Sequence, residues 1–164
     1  MADARTIGAG LARGVVAGVI GTAAMTAYQL AVAHRRGRPL RTPVPRTWAE
    51  APAPAQVAKR AADALGKGRR VTKKQVPLLT NAMHWAYGVT WGAAYGLVAS
   101  VVEPAPLRAG LALGGGIWAA SYGELVPLGI YEPPWRYPAQ ELALDLSYHL
   151  VYGVAVAGAY AALR

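Results

Sequence analysis

From Val76 to Val102 the chain runs without a charged side chain, through His84, Trp85, Tyr87, Trp91 and Tyr95. As a helix rising ~1.5 Å per residue this stretch is about 40 Å long, enough to cross a bilayer with some tilt. A water-soluble protein would have to cover such an element on every side. Composition points away from that: 54% of the residues are hydrophobic, the mean hydropathy is +0.23 and only 15% are charged, against roughly 25% in ordinary soluble domains. The expectation is a single membrane domain over residues 1–164. The chain has no cysteine, which excludes disulfides, thiolate nucleophiles and thiolate metal sites.

The formal charge of +9 suggests nucleic acid until its location is considered. Between His34 and Gln75 stand twelve Lys or Arg and two acids, Glu50 and Asp63, so one segment carries the whole excess and the rest of the chain is close to neutral. That is the pattern of a cytoplasmic loop obeying the positive-inside rule, able to rest on anionic lipid headgroups. The loop has no aromatic interleaving beyond Trp48 and no nucleic-acid reading motif, so no nucleic-acid partner is expected.

Four spans follow from the hydropathy pattern, at 7–33, 76–102, 107–131 and 140–163. The fold class expected is all-α, a polytopic four-transmembrane-helix bundle with the basic loop, 34–75, inside and both termini outside. The first span is followed rather than preceded by its positive charges, unlike a cleaved signal peptide. Prolines 39, 43, 45, 52 and 54 break the early loop, and the Ala-rich run 55–65 reads as a short interfacial helix. Gly10, Gly14 and Gly18 on the first span, and Gly88, Gly92 and Gly96 on the second, are GxxxG repeats suited to close helix packing, within a protomer or in a homo-oligomer.

Polar residues in apolar spans are costly and mark function or packing. On the fourth span Glu141, Asp145, His149 and Tyr152 share one face, and on the second Asn81 and His84 lie on one side. With Glu124 from the third, these residues are expected to form a polar centre. It would fix helix packing, or pass protons or a small solute through imidazole and carboxylate exchange. Alternatively His84 and His149 are axial ligands of a b-type haem, or with Asp145 and Glu141 or Glu124 ligands of a metal. A third reading is a structural or accessory assembly module. No HExxH or phosphate-loop motif is present, and Ser147 faces away from His149, so enzymatic activity is not expected. His84-Trp-Ala-Tyr-Gly88 and His149-Leu-Val-Tyr-Gly153 share the pattern HxxYG, a short parallel internal repeat.

The stretch Val126-Pro-Leu-Gly-Ile-Tyr-Glu-Pro-Pro-Trp135, followed by Pro138, Glu141 and Tyr148-His-Leu-Val151, resembles the YagU-like inner-membrane proteins, a family labelled a domain of unknown function. Tyr148 stands where that family has Gly, and the basic loop differs in length and content. The resemblance implies a small multi-pass protein of a bacterial-type inner membrane with a role in acid tolerance, and it carries no catalytic residues.

Overall fold

In the computed structural model, which describes residues 4–39, 43–102 and 104–164, the chain forms five α-helices. These are α1 (Ala4–Arg35), α2 (Ala53–Ala64), α3 (Val76–Val102), α4 (Pro106–Leu125) and α5 (Ala139–Ala162). The expected all-α class is observed. Of the described helices, α1 and α5 are long and apolar enough to cross a membrane. By the same measure α3 and α4 fall short of the expected four. Asn81, His84 and its aromatic residues dilute the apolar content of α3, and the glycines of α4, with Arg108 and Glu124, do the same there.

Boundaries agree with the sequence except at the third span. There the helix stops at Leu125, and 126–131 form a turn rather than the end of a span. Gly129 adopts φ +61, a left-handed conformation that an L side chain rarely takes, and Pro133 and Pro134 then prevent any resumption. The short helix of the basic loop begins at Ala53, with Pro54 in its first turn, where a missing N–H costs nothing. Residues 40–42 of the loop lie outside the described residues.

The four long helices run alternately up and down. In space their order is α3, α1, α5, α4: α1 packs on both α3 and α5, α4 packs on α5, and the outer helices α3 and α4 scarcely touch. Glycine decides this order. Gly10, Gly14 and Gly18 of α1 meet Gly96, Gly92 and Gly88 of α3 so closely that a Cβ on Gly14 would lie 2.5 Å from the Gly92 carbonyl oxygen and 2.8 Å from the Gly96 Cα. The second pair, α4 and α5, repeats the device: a Cβ on Gly110 would lie 2.7 Å from the Val154 Cα, and one on Gly153 would strike the Gly110 carbonyl. Backbones in contact gain dispersion along the whole crossing, which is how helices associate when no water drives them together. Both HxxYG segments end on such a glycine, Gly88 against Thr22 of α1 and Gly153 against α4. The GxxxG faces are therefore occupied inside the protomer, and a homo-oligomer would have to use other surfaces.

Many large apolar side chains lie on the outside of the bundle. Small residues fill the helix crossings, while Ile7, Leu11, Val15, Val16, Val19 and Ile20 of α1 are exposed, as are Leu97, Val98, Val101 and Val102 of α3. An exposed apolar face of this extent is unusual for a monomer in water.

Toward the end of the bundle away from the basic loop, Tyr95, Ala99, Val156, Ala157 and Tyr160 form a dense buried core. Tyr95 and Tyr160 meet edge to face at 5.6 Å, and the Tyr160 hydroxyl donates to the Gly96 carbonyl at 3.2 Å. Arg164 donates to the Ala99 carbonyl at 2.6 Å and covers the Tyr160 ring. We expect Tyr160→Phe to cost about 1 kcal/mol, since the ring stays and one hydrogen bond is lost. Thermal unfolding in detergent measures this.

Candidate functional site: a polar cavity at the basic-loop end

Because α3 and α4 flank the row without closing on each other, a cavity of about 720 Å³ remains among the four long helices, at the end where the basic loop attaches. That volume is within the usual range of small-molecule sites, ~300–1,000 Å³. Its deep wall includes Thr22, Ile117 and Tyr152, and Ala53, Pro54 and Val57 of α2 line its outer side. Helix α2 is held there by packing of Ala51 and Ala55 on Val76, with Trp48 and Leu79 around them. Expected as an interfacial helix, it lies against the first turns of α3.

Six of the seven residues expected at a polar centre line this cavity: Asn81 and His84 from α3, Glu124 from α4, and Asp145, His149 and Tyr152 from α5. Glu141 does not. It lies one turn beyond Asp145 and is exposed, in a neighbouring surface groove with Arg36, Arg38 and Tyr148. Its four-residue spacing from Asp145 shares a helix face but moves it ~6 Å along the axis, past the rim.

The hydrogen bonds fix the imidazoles. His149 Nδ1 lies 2.9 Å from the Asp145 main-chain carbonyl oxygen, which can only accept, so Nδ1 carries the hydrogen and Nε2 is left with a lone pair. His84 Nε2 lies 3.2 Å from the Thr26 hydroxyl oxygen. That hydroxyl already donates to the Thr22 carbonyl at 2.8 Å, so the imidazole must be the donor and its Nδ1 holds the lone pair. The Tyr152 hydroxyl donates to the Gly88 carbonyl at 2.5 Å, tying α5 to α3 at the cavity floor.

The carboxylates are more loosely held. Asp145 has the Tyr122 hydroxyl at 3.5 Å and the His149 ring at 3.9 Å, and Glu124 has the Tyr87 hydroxyl at 3.5 Å. These separations are long for direct hydrogen bonds. The Thr80 hydroxyl, also on the lining, is buried without a hydrogen-bond partner.

Among the described residues, His84, His149, Asp145, Glu124 and Glu141 included, no group of three or more His, Asp or Glu that could hold a metal ion is found. Ser147 donates to the Leu144 carbonyl at 2.6 Å and Ser121 to the Trp118 carbonyl at 2.8 Å, so both hydroxyls are engaged by their own helices.

Sequence reasoning missed the contribution of α1. Thr22, Met25, Thr26 and Gln29 line the cavity, and their three- and four-residue spacing on an otherwise apolar helix was the available signal. It also missed Trp85, because the periodicity of an uncharged span does not tell an outward aromatic residue from an inward one, and Tyr131, which reaches the lining from the turn after α4.

Comparison with known proteins identifies no relative: no protein-family model, curated protein or solved structure matches the chain.

Proposed function

We propose that this is a small multi-pass membrane protein whose four long helices all cross the bilayer, with the basic loop on the cytoplasmic side, and that its polar cavity takes up a small solute and exchanges protons with it. One observation carries the reading: Asn81, His84, Glu124, Asp145, His149 and Tyr152, from three helices of an otherwise apolar bundle, line one solute-sized cavity. Polar groups are expensive in hydrocarbon unless they meet each other, water or a ligand. Two imidazoles and two weakly held carboxylates lining one cavity are groups able to bind and release protons. The packed core beyond Tyr152 favours a carrier that must rearrange over a continuously open channel. The resemblance of residues 126–151 to the YagU-like proteins, with their implied link to acid tolerance, is in keeping with proton handling.

The test is a flux assay on the purified protein reconstituted in liposomes loaded with a pH-sensitive dye. Under an imposed pH gradient and a potassium diffusion potential, internal pH is expected to change faster than in protein-free liposomes. Equal rates across a range of protein densities would leave the polar residues as packing groups in an accessory or assembly module.

A haem reading has one specific observation in its favour: both imidazoles line the same cavity, and His149 is oriented through Nδ1 on a main-chain carbonyl, as axial histidines commonly are. An absorption spectrum of the freshly purified protein decides it. A stoichiometric Soret band would make His84 and His149 ligands of haem b, and a colourless protein that stays colourless after incubation with haemin would remove that reading.

A further inference from the structure

The cavity lining has a composition of its own. It includes two carboxylates, Glu124 and Asp145, and five aromatic rings, Trp85, Tyr87, Trp91, Tyr131 and Tyr152, but no Lys or Arg. This is notable in a chain with 17 Lys and Arg and only 8 acids. Among the described residues, neither carboxylate is paired with a Lys or Arg. Tyr87 and Trp91 stand edge to face at 6.1 Å, giving the α3 wall two differently oriented ring systems. Aromatic faces attract a cation within ~6 Å of the ring centroid, and the attraction strengthens when water is excluded. The two carboxylates add a longer-range attraction of the same sign, stronger at the part-buried Asp145 than at the exposed Glu124.

Taking the cavity as a solute site, as proposed above, we infer that its ligand is a lipophilic organic cation. Its positive charge sits between the Glu124 and Asp145 carboxylates and its apolar groups lie against Trp85, Tyr87 and Trp91. The route of access points to the same class. The groove beside the cavity, which shares Tyr131 and Asp145 with it, carries Arg36 and Arg38 beside Glu141, and these arginines repel a hydrophilic cation arriving through water on that side. On the side where α3 and α4 scarcely touch, no contact between these two helices closes the cavity. A cation with an apolar body partitions into the bilayer and reaches the carboxylates from that side. An anion would be drawn to the same groove, but inside the cavity it would meet Glu124 and Asp145 with no fixed positive charge to offset them.

The experiment uses the full chain in phosphatidylcholine nanodiscs with two ions of the same shape and opposite charge, tetraphenylphosphonium and tetraphenylborate. Binding is measured by equilibrium dialysis against protein-free nanodiscs. Saturable phosphonium binding is expected, with borate unable to displace it. Asp145→Asn and Glu124→Gln are each expected to weaken it about tenfold or more, the loss of one charged contact. Trp91→Leu should weaken it and Trp91→Phe largely restore it. If Asp145→Asn does not give a monodisperse protein, Glu124→Gln decides, because Glu124 is exposed at the end of α4. Phosphonium binding no greater than to protein-free nanodiscs, borate binding of equal strength, or carboxylate variants that bind normally would each overturn the inference. Dye-reported proton flux in liposomes is independent of these probes, so flux without phosphonium binding would retain the proposed function and reject only its ligand class.

Discussion

Gly14→Leu is expected to abolish the folded protein. The α1 and α3 backbones touch along Gly10, Gly14 and Gly18 on one side and Gly88, Gly92 and Gly96 on the other, and a Cβ at position 14 already falls 2.5 Å from the Gly92 carbonyl oxygen and 3.1 Å from the Ala93 Cα. Those neighbours are main chain and cannot move aside as a side-chain tip would, so the helices must separate along their length. Overpacking a well-filled core by a methylene or two costs about 1–3 kcal/mol; a leucine here adds four carbons where there is no room for the first. Since natural domains have only about 5–15 kcal/mol of stability, the loss is a large part of the total. The same result is expected for Gly92→Leu, whose Cβ would strike the Gly18 backbone, and for Gly114→Leu, whose Cβ would press on the His149 carbonyl. Gly8→Leu and Gly115→Leu are the controls: nothing lies within 4 Å of a Cβ at either position, and both should purify like the parent. Fluorescence-detected size-exclusion chromatography in mild detergent measures the outcome. A Gly14→Leu protein that stays monodisperse and loses only a dimer would show that the glycine seam joins two protomers instead of two helices of one.

That seam also shows how far the sequence could be read. The GxxxG repeats were visible as letters, and so was their suitability for close packing, but spacing does not say which glycine helix meets which. Gly10, Gly14 and Gly18 could have met a copy of themselves; instead they meet the repeat on α3, because α1 and α3 are antiparallel and the two repeats fall opposite one another. The long helices were legible because apolar runs bounded by prolines and charges mark their ends, and α2 because its Ala-rich run carries Lys59, Arg60 and Asp63 to one side. The exception was the third span, where apolar residues 126–131 extended the run, and only the left-handed Gly129 shows the turn. At the site, periodicity placed Glu141, Asp145, His149 and Tyr152 on one face; the last three line the cavity and Glu141 lies in the neighbouring groove, since a shared helix face does not fix depth along the axis. Thr26 was missed for a different reason: a threonine can satisfy itself on its own helix, as Thr26 does on Thr22, and its second contact, to His84, depends on tertiary packing.

Asp145→Asn is expected to reduce proton flux about tenfold or more while leaving the fold intact. The two effects separate because of how Asp145 is held. The group that orients His149 is the main-chain carbonyl of Asp145, at 2.9 Å from Nδ1, and this survives any side-chain replacement. Among the described residues the carboxylate has the Tyr122 hydroxyl at 3.5 Å and the His149 ring at 3.9 Å, contacts that an amide of the same shape can keep. What the amide cannot do is bind and release a proton, so a relay that includes position 145 is interrupted with little change in packing. Liposomes containing equal amounts of correctly folded parent and variant give the comparison directly. Glu141→Gln is the matched control, the same chemical change one turn away among Arg36 and Arg38 and outside the cavity, and it should leave flux near the parent rate. Should Asp145→Asn lower yield and flux together, with Glu141→Gln harmless, Asp145 would be a packing residue. Equal reductions by both variants would mean that protons cross at the basic rim and that the cavity is not their route.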